Sequence, residues 1–315
     1  MLVVISLLMV AVGIALLYWG GEVLVDNAIA MARSFGVSAM VIGLTVVAFA
    51  TSAPELAAAI TANLRGAPDI AVGNVVGSNI ANVCLILGVT GLFFALSTDR
   101  RFIRREMAFM MVATIFVYPL MLVGLEIDRF EGAILFAGLL WFLRTLLTDD
   151  QHQVSHEEID EEAEPLPMWR SSLGVALGIV LLVGGAQLLV LGASDIARAL
   201  GIEERVIGLT VVALGTSLPE LAAALAAGRK GEADLVLGNI VGSNIFNLLC
   251  ILGLTALVAP ISVAAEVTRI DYWVMFATSL LLMIFLATRH RISRPEAVVL
   301  STIYVTYTVY LYLAR

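Results

Sequence analysis

Two segments of this chain carry nearly the same sequence at a constant offset of 165 positions. Residues 41–92 read VIGLTVVAFATSAPELAAAITANLRGAPDIAVGNVVGSNIANVCLILGVTGL, and residues 206–257 read VIGLTVVALGTSLPELAAALAAGRKGEADLVLGNIVGSNIFNLLCILGLTAL. Aligned without a gap, about 32 of the 52 positions are identical. An internal repeat of this length predicts a fold built from two copies of one structural unit.

The composition places both copies in a membrane. Hydrophobic residues make up 60% of the 315 positions and charged residues only 14%, whereas a soluble domain carries about 25% charge. Much of the acidic excess behind the net charge of −8 lies in residues 157–164. We interpret that tract as a solvated loop, so it does not indicate a basic partner such as a nucleic acid. The lipid bilayer is the predicted partner.

Apolar runs of roughly 20 residues predict ten transmembrane helices. The N-terminal run has no basic region before it, so we interpret it as a first transmembrane helix and not as a signal peptide. The predicted helices span residues 2–32, 39–64, 69–97, 103–123, 128–147, 170–198, 204–228, 233–259, 268–288 and 295–314.

The repeat unit contains five of these helices, which is an odd number, so its second copy must enter the membrane from the opposite side. The sequence therefore predicts an all-α membrane protein with ten transmembrane helices arranged as two inverted five-helix repeats. The first repeat occupies residues 1–148 and the second residues 169–315. An acidic linker, residues 149–168, joins them.

The basic residues predict the orientation. If the N-terminus faces outward, 12 of the 18 lysines and arginines fall at inner helix ends, many of them in residues 100–105. This bias favours a multi-pass protein of the cell (plasma or inner) membrane, with both termini outside and the linker in the cytoplasm.

Glu55 and Glu220 are the candidate functional residues that stand out most. Each lies within an otherwise apolar helix at an equivalent repeat position, where a carboxylate costs several kcal/mol unless it is compensated. Pro54 and Pro219 precede them and should interrupt the helical hydrogen bonding. We expect this to free carbonyl groups near Ala48 and Ala213, which would line an ion path.

Other oxygen-bearing side chains recur around each glutamate. The spacing of the serine and asparagine in Gly-Ser-Asn-Ile-X-Asn places both on one helix face, and the preceding glycines favour close helix packing. Asn74 and Asn239 are expected to hold broken backbone in place. The candidate ligands are Thr51, Ser52, Ser78, Asn82, Thr216, Ser217, Ser243 and Asn247.

These ligand types favour a hard cation. No histidine lies within a predicted helix centre, and Cys84 and Cys250 have no matching partner in the other repeat, so a soft-metal site is disfavoured. An all-oxygen site with two carboxylates suits Ca²⁺, which takes 6–8 oxygen ligands in a flexible geometry. Na⁺ accepts the same oxygens at lower charge and could compete for one site.

The doubled motifs ATSAPEL with GNVVGSNIAN, and GTSLPEL with GNIVGSNIFN, resemble the alpha repeats of the sodium/calcium exchanger family. The resemblance extends over essentially the whole chain and suggests a prokaryotic-type member with a central ion site. It implies that Glu55 and Glu220 are the principal Ca²⁺ ligands and that Asn82 and Asn247 complete the centre. It implies Na⁺ sites at Thr51, Ser52, Ser78, Thr216, Ser217 and Ser243, with carbonyl ligands from Ala48 and Ala213.

The chain departs from the family pattern at Asn247, where several members carry an acidic residue. Two carboxylates at the centre, instead of three or more, disfavour co-transport of potassium. The resemblance implies a secondary active antiporter that exchanges Na⁺ for Ca²⁺ by alternating access. The alternative is a proton-coupled antiporter for Ca²⁺ or another divalent cation, although such relatives tend to have an acidic residue where this chain has Gly-Ser.

The helices 2–32 and 170–198 lack the polar motifs, so we expect them to form a gate that slides against the other eight. A channel would need polar residues along several helices. An enzyme is disfavoured because there is no buried Ser–His pair and no metal-binding His/Glu motif. The prediction is therefore a transporter with no cofactor and no obligate protein partner, which acts on Ca²⁺ and Na⁺.

Overall fold

A computed structural model of the chain describes residues 2–148, 167–202, 211 and 213–314. These residues form helices joined by short loops, with four two-residue strands. The helices are α1 Leu2–Phe35, α2 Ala39–Thr51, α3 Ala53–Leu64, α4 Pro68–Phe93, α5 Arg100–Leu122, α6 Arg129–Leu147, α7 Met168–Ala199, α8 Ala213–Thr216, α9 Leu218–Arg229, α10 Ala233–Val258, α11 Val267–Arg289 and α12 Arg294–Ala314.

Among the described residues, seven helices are long and apolar enough to cross a membrane, namely α1, α4, α5, α6, α7, α10 and α11. The pair α2 and α3 also passes when it is counted as one span bent by 42°, which gives up to eight. The helix α12 has 21 residues. Part of the predicted helix 204–228 and most of the linker 149–168 lie outside the described residues, so ten spans stay a prediction.

One predicted helix boundary was wrong for a local reason, and one predicted helix is interrupted. The predicted helix 69–97 ends at Phe93, because Leu96 and Ser97 pair with another chain segment as a strand. The predicted helix 39–64 is divided at Ser52, which adopts φ −85° and ψ 1° between α2 and α3. The proline in the first turn of α3 fits this break, because it has no N–H to donate to the preceding turn.

Two equivalent pairs of short strands join the two halves. The strand β1 (Leu96–Ser97) pairs antiparallel with β4 (Arg291–Ile292), and β2 (Glu126–Ile127) pairs antiparallel with β3 (Ile261–Ser262). Adding 165 to the residue numbers converts β1 into β3 and β2 into β4. The two pairings are therefore equivalent, as expected when the halves are related by an approximate two-fold axis.

The long helices α1 and α7 pack directly against each other through glycines. A Cβ atom on Gly13 would lie 2.7 Å from the carbonyl oxygen of Gly185, and one on Gly20 would lie 3.1 Å from that of Gly178. These two contacts are also equivalent under the 165-residue offset. The two helices approach through backbone surfaces, while large apolar side chains such as Leu8 and Val180 face outward.

Several helices contain π-helical turns, in which the backbone hydrogen bonds skip one residue further than in an α-helix. Two pairs of these turns match under the repeat offset to within one residue: Asn82–Ile86 with Phe246–Ile251, and Ile103–Met107 with Val267–Asp271. Such turns are frequent at functional sites. The first pair contains the predicted ligands Asn82 and Asn247, so the irregular backbone coincides with the candidate site.

Candidate ion-binding site

The two candidate glutamates occupy the first turns of two helices that begin inside the protein. Ser217 has φ −89° and ψ 2° between α8 and α9, close to the values of Ser52 between α2 and α3. Glu55 and Glu220 therefore lie at equivalent helix N-termini. The unpaired N–H groups of a helix N-terminus favour negative charge, which partly offsets the cost of burying a carboxylate.

The two carboxyl groups come from different halves and lie close enough to repel each other. Glu55 is 1% exposed and Glu220 is 2% exposed. The carboxyl group of Glu220 faces the hydroxyl groups of Thr51 and Ser52 from the first half. However, Ser52 Oγ and Glu220 Oε2 do not reach hydrogen-bonding geometry with any described atom. The structure thus brings the two glutamates together in a buried space. Without a cation, burying both negative charges there would be unfavourable.

Asparagine side chains connect the halves beside the glutamates. Asn82 Nδ2 donates a hydrogen bond to Asn244 Oδ1 at 3.0 Å, and Asn247 Nδ2 donates to Asn79 Oδ1 at 2.9 Å. Under the 165-residue offset the two hydrogen bonds are the same interaction. Asn82 and Asn247 are both 1% exposed. Asn82 and Asn247 are therefore each held through the amide nitrogen by a residue of the opposite half.

Many buried oxygens in this region have no hydrogen-bond partner among the described residues. Such atoms are costly in a protein interior and are normally satisfied. Most of them are acceptors, which suits a cation. They are Glu55 Oε1 and Oε2, Glu220 Oε2, Asn82 Oδ1, Asn247 Oδ1, Ser52 Oγ and Ser243 Oγ.

The remaining predicted ligands lie close to these groups in the sequence. Ser78 and Ser243 are buried one helical turn before Asn82 and Asn247, respectively. Ser217 is buried like its counterpart Ser52. Thr51 is 1% exposed, whereas its counterpart Thr216 is only half-buried. The two halves of the site are therefore not equally enclosed.

Carbonyl groups near Ala48 were expected to be freed by the proline, but the carbonyl group of Ala48 itself is hydrogen-bonded. Its oxygen accepts a hydrogen bond from the backbone N–H of Ser52 at 3.0 Å. Proline removes the donor that would bond four residues earlier, and for Pro54 that residue is Ala50. Ala48 O also accepts a longer contact from Thr51 Oγ1 at 3.4 Å. Ala213 is the first residue of α8.

Sequence reasoning missed Asn79 and Asn244 as contributors to the site. Both lie in the repeated Gly-Ser-Asn-Ile-X-Asn motif, so the signal that could have indicated them was their presence in both copies. The role expected for Asn74 is confirmed, because its Nδ2 donates to the backbone oxygen of Glu55 at 3.3 Å. Its counterpart Asn239 instead accepts, through Oδ1, a hydrogen bond from Thr51 Oγ1 at 3.4 Å.

Within the described residues, no group of three or more His, Cys, Asp or Glu side chains could hold a metal ion. Cys84 and Cys250 are buried separately as free thiols. The candidate site therefore offers two carboxylates supplemented by amide, hydroxyl and carbonyl oxygens, a ligand set that favours hard cations.

The model of the family described as "Sodium/calcium exchanger protein" matches residues 5–148 and 170–313. This chain belongs to the sodium/calcium exchanger family. One relative, the sodium/calcium exchanger MaX1 of Methanosarcina acetivorans, is 34% identical over 348 aligned positions, covering 99% of each chain. The inner membrane protein YrbG of Escherichia coli is 35% identical over 86% of this chain and 85% of its own length.

The fold is also similar to solved structures of the sodium-calcium exchanger NCX_Mj. A structure of NCX_Mj soaked with Na⁺ and Sr²⁺ superposes with a TM-score of 0.85 at 30% identity, and 98% of each chain is covered. This chain is therefore a multi-span membrane protein of a family of cation antiporters.

Proposed function

We propose that this exchanger carries Ca²⁺ across the membrane in one direction and Na⁺ in the other, at a single site shared by Glu55 and Glu220. The observation that carries the proposal is the meeting of these carboxyl groups from opposite halves, among buried oxygens that have no described partner. Two negative charges balance one Ca²⁺. Family membership and the likeness to NCX_Mj support the same cargo.

The other oxygens have distinct proposed roles. Asn82 Oδ1 and Asn247 Oδ1 complete the central Ca²⁺ site, with backbone oxygens of Ala48 and Ala213 at its edge. Na⁺ occupies overlapping positions built from the hydroxyl groups of Thr51, Ser52, Ser78, Thr216, Ser217 and Ser243. Because these positions share the two carboxylates, Ca²⁺ and Na⁺ exclude each other, which is the requirement for exchange in place of co-transport.

Alternating access follows from the electrostatics. An empty site holds two adjacent buried carboxylates, which is unfavourable, whereas a loaded site is neutralised and can cross between the two conformations. We assign the movement to α1 and α7. Their glycine contacts through backbone surfaces hold them together as a pair, which supports a joint movement against the other helices.

We further propose the inverted ten-span topology, with residues 1–148 and 169–315 as the repeats and residues 149–168 as a cytoplasmic linker. Both termini would face outward across an inner or plasma membrane. The equivalence of the strand pairs β1–β4 and β2–β3 supports this arrangement. A membrane-impermeant maleimide should label Ser155→Cys, in a variant without Cys84 and Cys250, only after the cytoplasmic side is opened.

Isotope flux tests the proposed function. Purified protein in proteoliposomes should accumulate ⁴⁵Ca²⁺ when an outward Na⁺ gradient is imposed, and K⁺ or pH gradients alone should not drive uptake. A substituted Glu126, which is exposed in β2, provides a matched carboxylate control. Uptake driven by a pH gradient and independent of Na⁺ would overturn Na⁺ coupling in favour of the proton-coupled alternative. Absence of any Ca²⁺ flux would overturn the cargo.

A further inference from the structure

The hydrogen bonds within the two asparagine pairs beside the glutamates run in the same direction. In each pair the candidate ligand donates through Nδ2, and the residue from the opposite half accepts through Oδ1. The Oδ1 atoms of Asn82 and Asn247 are left without a described hydrogen-bond partner. An asparagine amide has one end that can bind a cation and one end that repels it, so its orientation determines whether it acts as a ligand.

The accepting asparagines are themselves held by a second contact. Asn79 Nδ2 lies 3.5 Å from Met275 Sδ, and Asn244 Nδ2 lies 3.7 Å from Met110 Sδ. These contacts are again equivalent under the 165-residue offset. Thioether sulfur accepts hydrogen bonds but does not donate them. Each accepting asparagine is therefore oriented with its nitrogen toward the methionine and its oxygen toward the ligand asparagine.

We propose that Asn79 and Asn244 are positioning residues, which fix the amide groups of Asn247 and Asn82 so that both present oxygen to the transported cation. The inference rests on the proposed function and deepens it by naming what orients two of its ligands. Neither residue touches the ion in this account. Each one acts across the boundary between the halves, so the ligand of one half is set by the other half.

The same geometry explains how an uncharged residue can serve at position 247. A carboxylate presents oxygen in either orientation and needs no neighbour to select it, whereas an amide does. Asn79 would therefore be dispensable for orientation if Asn247 were an aspartate. The identity of residue 247 therefore distinguishes a positioning role of Asn79 from a packing role. If Asn79 only filled space, its substitution would weaken Ca²⁺ binding equally with Asn or Asp at position 247.

The test is a double-mutant cycle between Asn79→Leu and Asn247→Asp, measured as the KM for Ca²⁺ in Na⁺-driven flux. Removing a group that orients a metal ligand typically weakens metal binding about 10- to 100-fold. We expect Asn79→Leu alone to raise the KM at least about tenfold, with a smaller change in the maximal rate. In the Asn247→Asp background, Asn79→Leu should change the KM less than about twofold.

Met275→Leu is a graded comparison, because it removes the weaker sulfur contact that helps to orient Asn79 but leaves the hydrogen bond to Asn247. It should shift the KM less than about threefold. Asn244→Leu should reproduce the effect of Asn79→Leu through Asn82. If Asn79→Leu does not accumulate, Asn79→Ser is the second variant, because its shorter side chain also cannot reach Asn247 Nδ2.

Equal KM increases in both backgrounds would overturn the proposal in favour of a packing role, and so would an unchanged KM in Asn79→Leu. Equilibrium ⁴⁵Ca²⁺ binding to the detergent-purified protein distinguishes these outcomes from failure of the proposed function. If wild-type protein binds Ca²⁺ but does not exchange it for Na⁺, the exchange proposal falls. The cycle can then still be completed with dissociation constants in place of KM values.

Discussion

The two halves of the molecule share many contacts at the centre, although Thr51 is more deeply buried than Thr216, and they differ more at their ends. At the centre, the glutamates, the asparagine pairs, the methionine contacts and the strand pairs all match under the 165-residue offset. At the end of α9, by contrast, Arg229 and Lys230 form ion pairs with Glu22 of α1. The equivalent positions at the other end are Leu64, Arg65 and Gln187, which cannot form this cluster.

The cluster connects the long helix α1 to the C-terminal end of α9. Lys230 also pairs with Asp26 at 2.7 Å, and Arg229 donates to the hydroxyl oxygen of Tyr18 at 2.6 Å. The hydrogen bond to Asp26 raises the pKa of Lys230. Beneath it lies an apolar groove of about 410 Å³ bordered by residues such as Ile14 and Leu221.

The contrast separates two requirements of an antiporter. The ion site must present the same ligands whichever side is open, and a two-fold arrangement supplies this. In the proposed mechanism the ends of α1 and α7 determine which side is open, and there the sequences of the two repeats have diverged. The following substitutions test both sides of this comparison.

The largest effect is expected at the symmetric centre. Glu55→Gln and Glu220→Gln should each lower Na⁺-driven Ca²⁺ flux at least about 100-fold, because each leaves one buried carboxylate to hold a divalent ion. The two losses should be similar in size. Glu126→Gln should retain wild-type flux. A glutamine variant at either position that keeps more than about a tenth of wild-type flux would contradict a shared site.

An intermediate effect is expected where α1 and α7 meet. A Cβ on Gly185 would lie 2.9 Å from the backbone of both Gly13 and Leu17, so Gly185→Ala should force the helices apart. Flux should fall about tenfold. The adjacent Gly184→Ala is the matched control, because no described atom lies within 4 Å of its added Cβ. Equal flux in the two variants would show that close approach of the helices is unnecessary.

The smallest effect is expected at the ion-pair cluster. Glu22→Gln removes one ion-pair partner of Arg229 and of Lys230, but partly exposed ion pairs contribute little. We expect a maleimide to label Leu221→Cys, in the groove beneath the cluster, about threefold faster in this variant. Gln187→Ala, at the equivalent position of α7, should leave the labelling rate unchanged. A faster rate in both variants would argue against a one-sided restraint.

The sequence was sufficient to predict features that follow from local pattern. The repeat indicated two equivalent units, and a carboxylate in an apolar helix singled out Glu55 and Glu220, which the structure buries. Features that depend on contacts between the halves were not accessible. The pairing of Asn79 with Asn247, separated by 168 residues, required the three-dimensional arrangement.

Which carbonyl group near Ala48 is released could not be predicted for a related reason. A proline identifies which hydrogen bond is lost, but the backbone at Ser52 determines which bonds re-form, and Ser52 N bonds to Ala48 O. The strands also escaped prediction, because two residues such as Leu96 and Ser97 carry too little pattern to be distinguished from a helix end.

The most direct measurement is the anomalous diffraction of Sr²⁺ soaked into crystals of this protein, with Sr²⁺ standing in for Ca²⁺. The account predicts one strong peak within coordination distance of carboxylate oxygens from both Glu55 and Glu220, and its loss when Na⁺ is raised. A peak on only one of these side chains, or a peak elsewhere with the space between them empty, would contradict it.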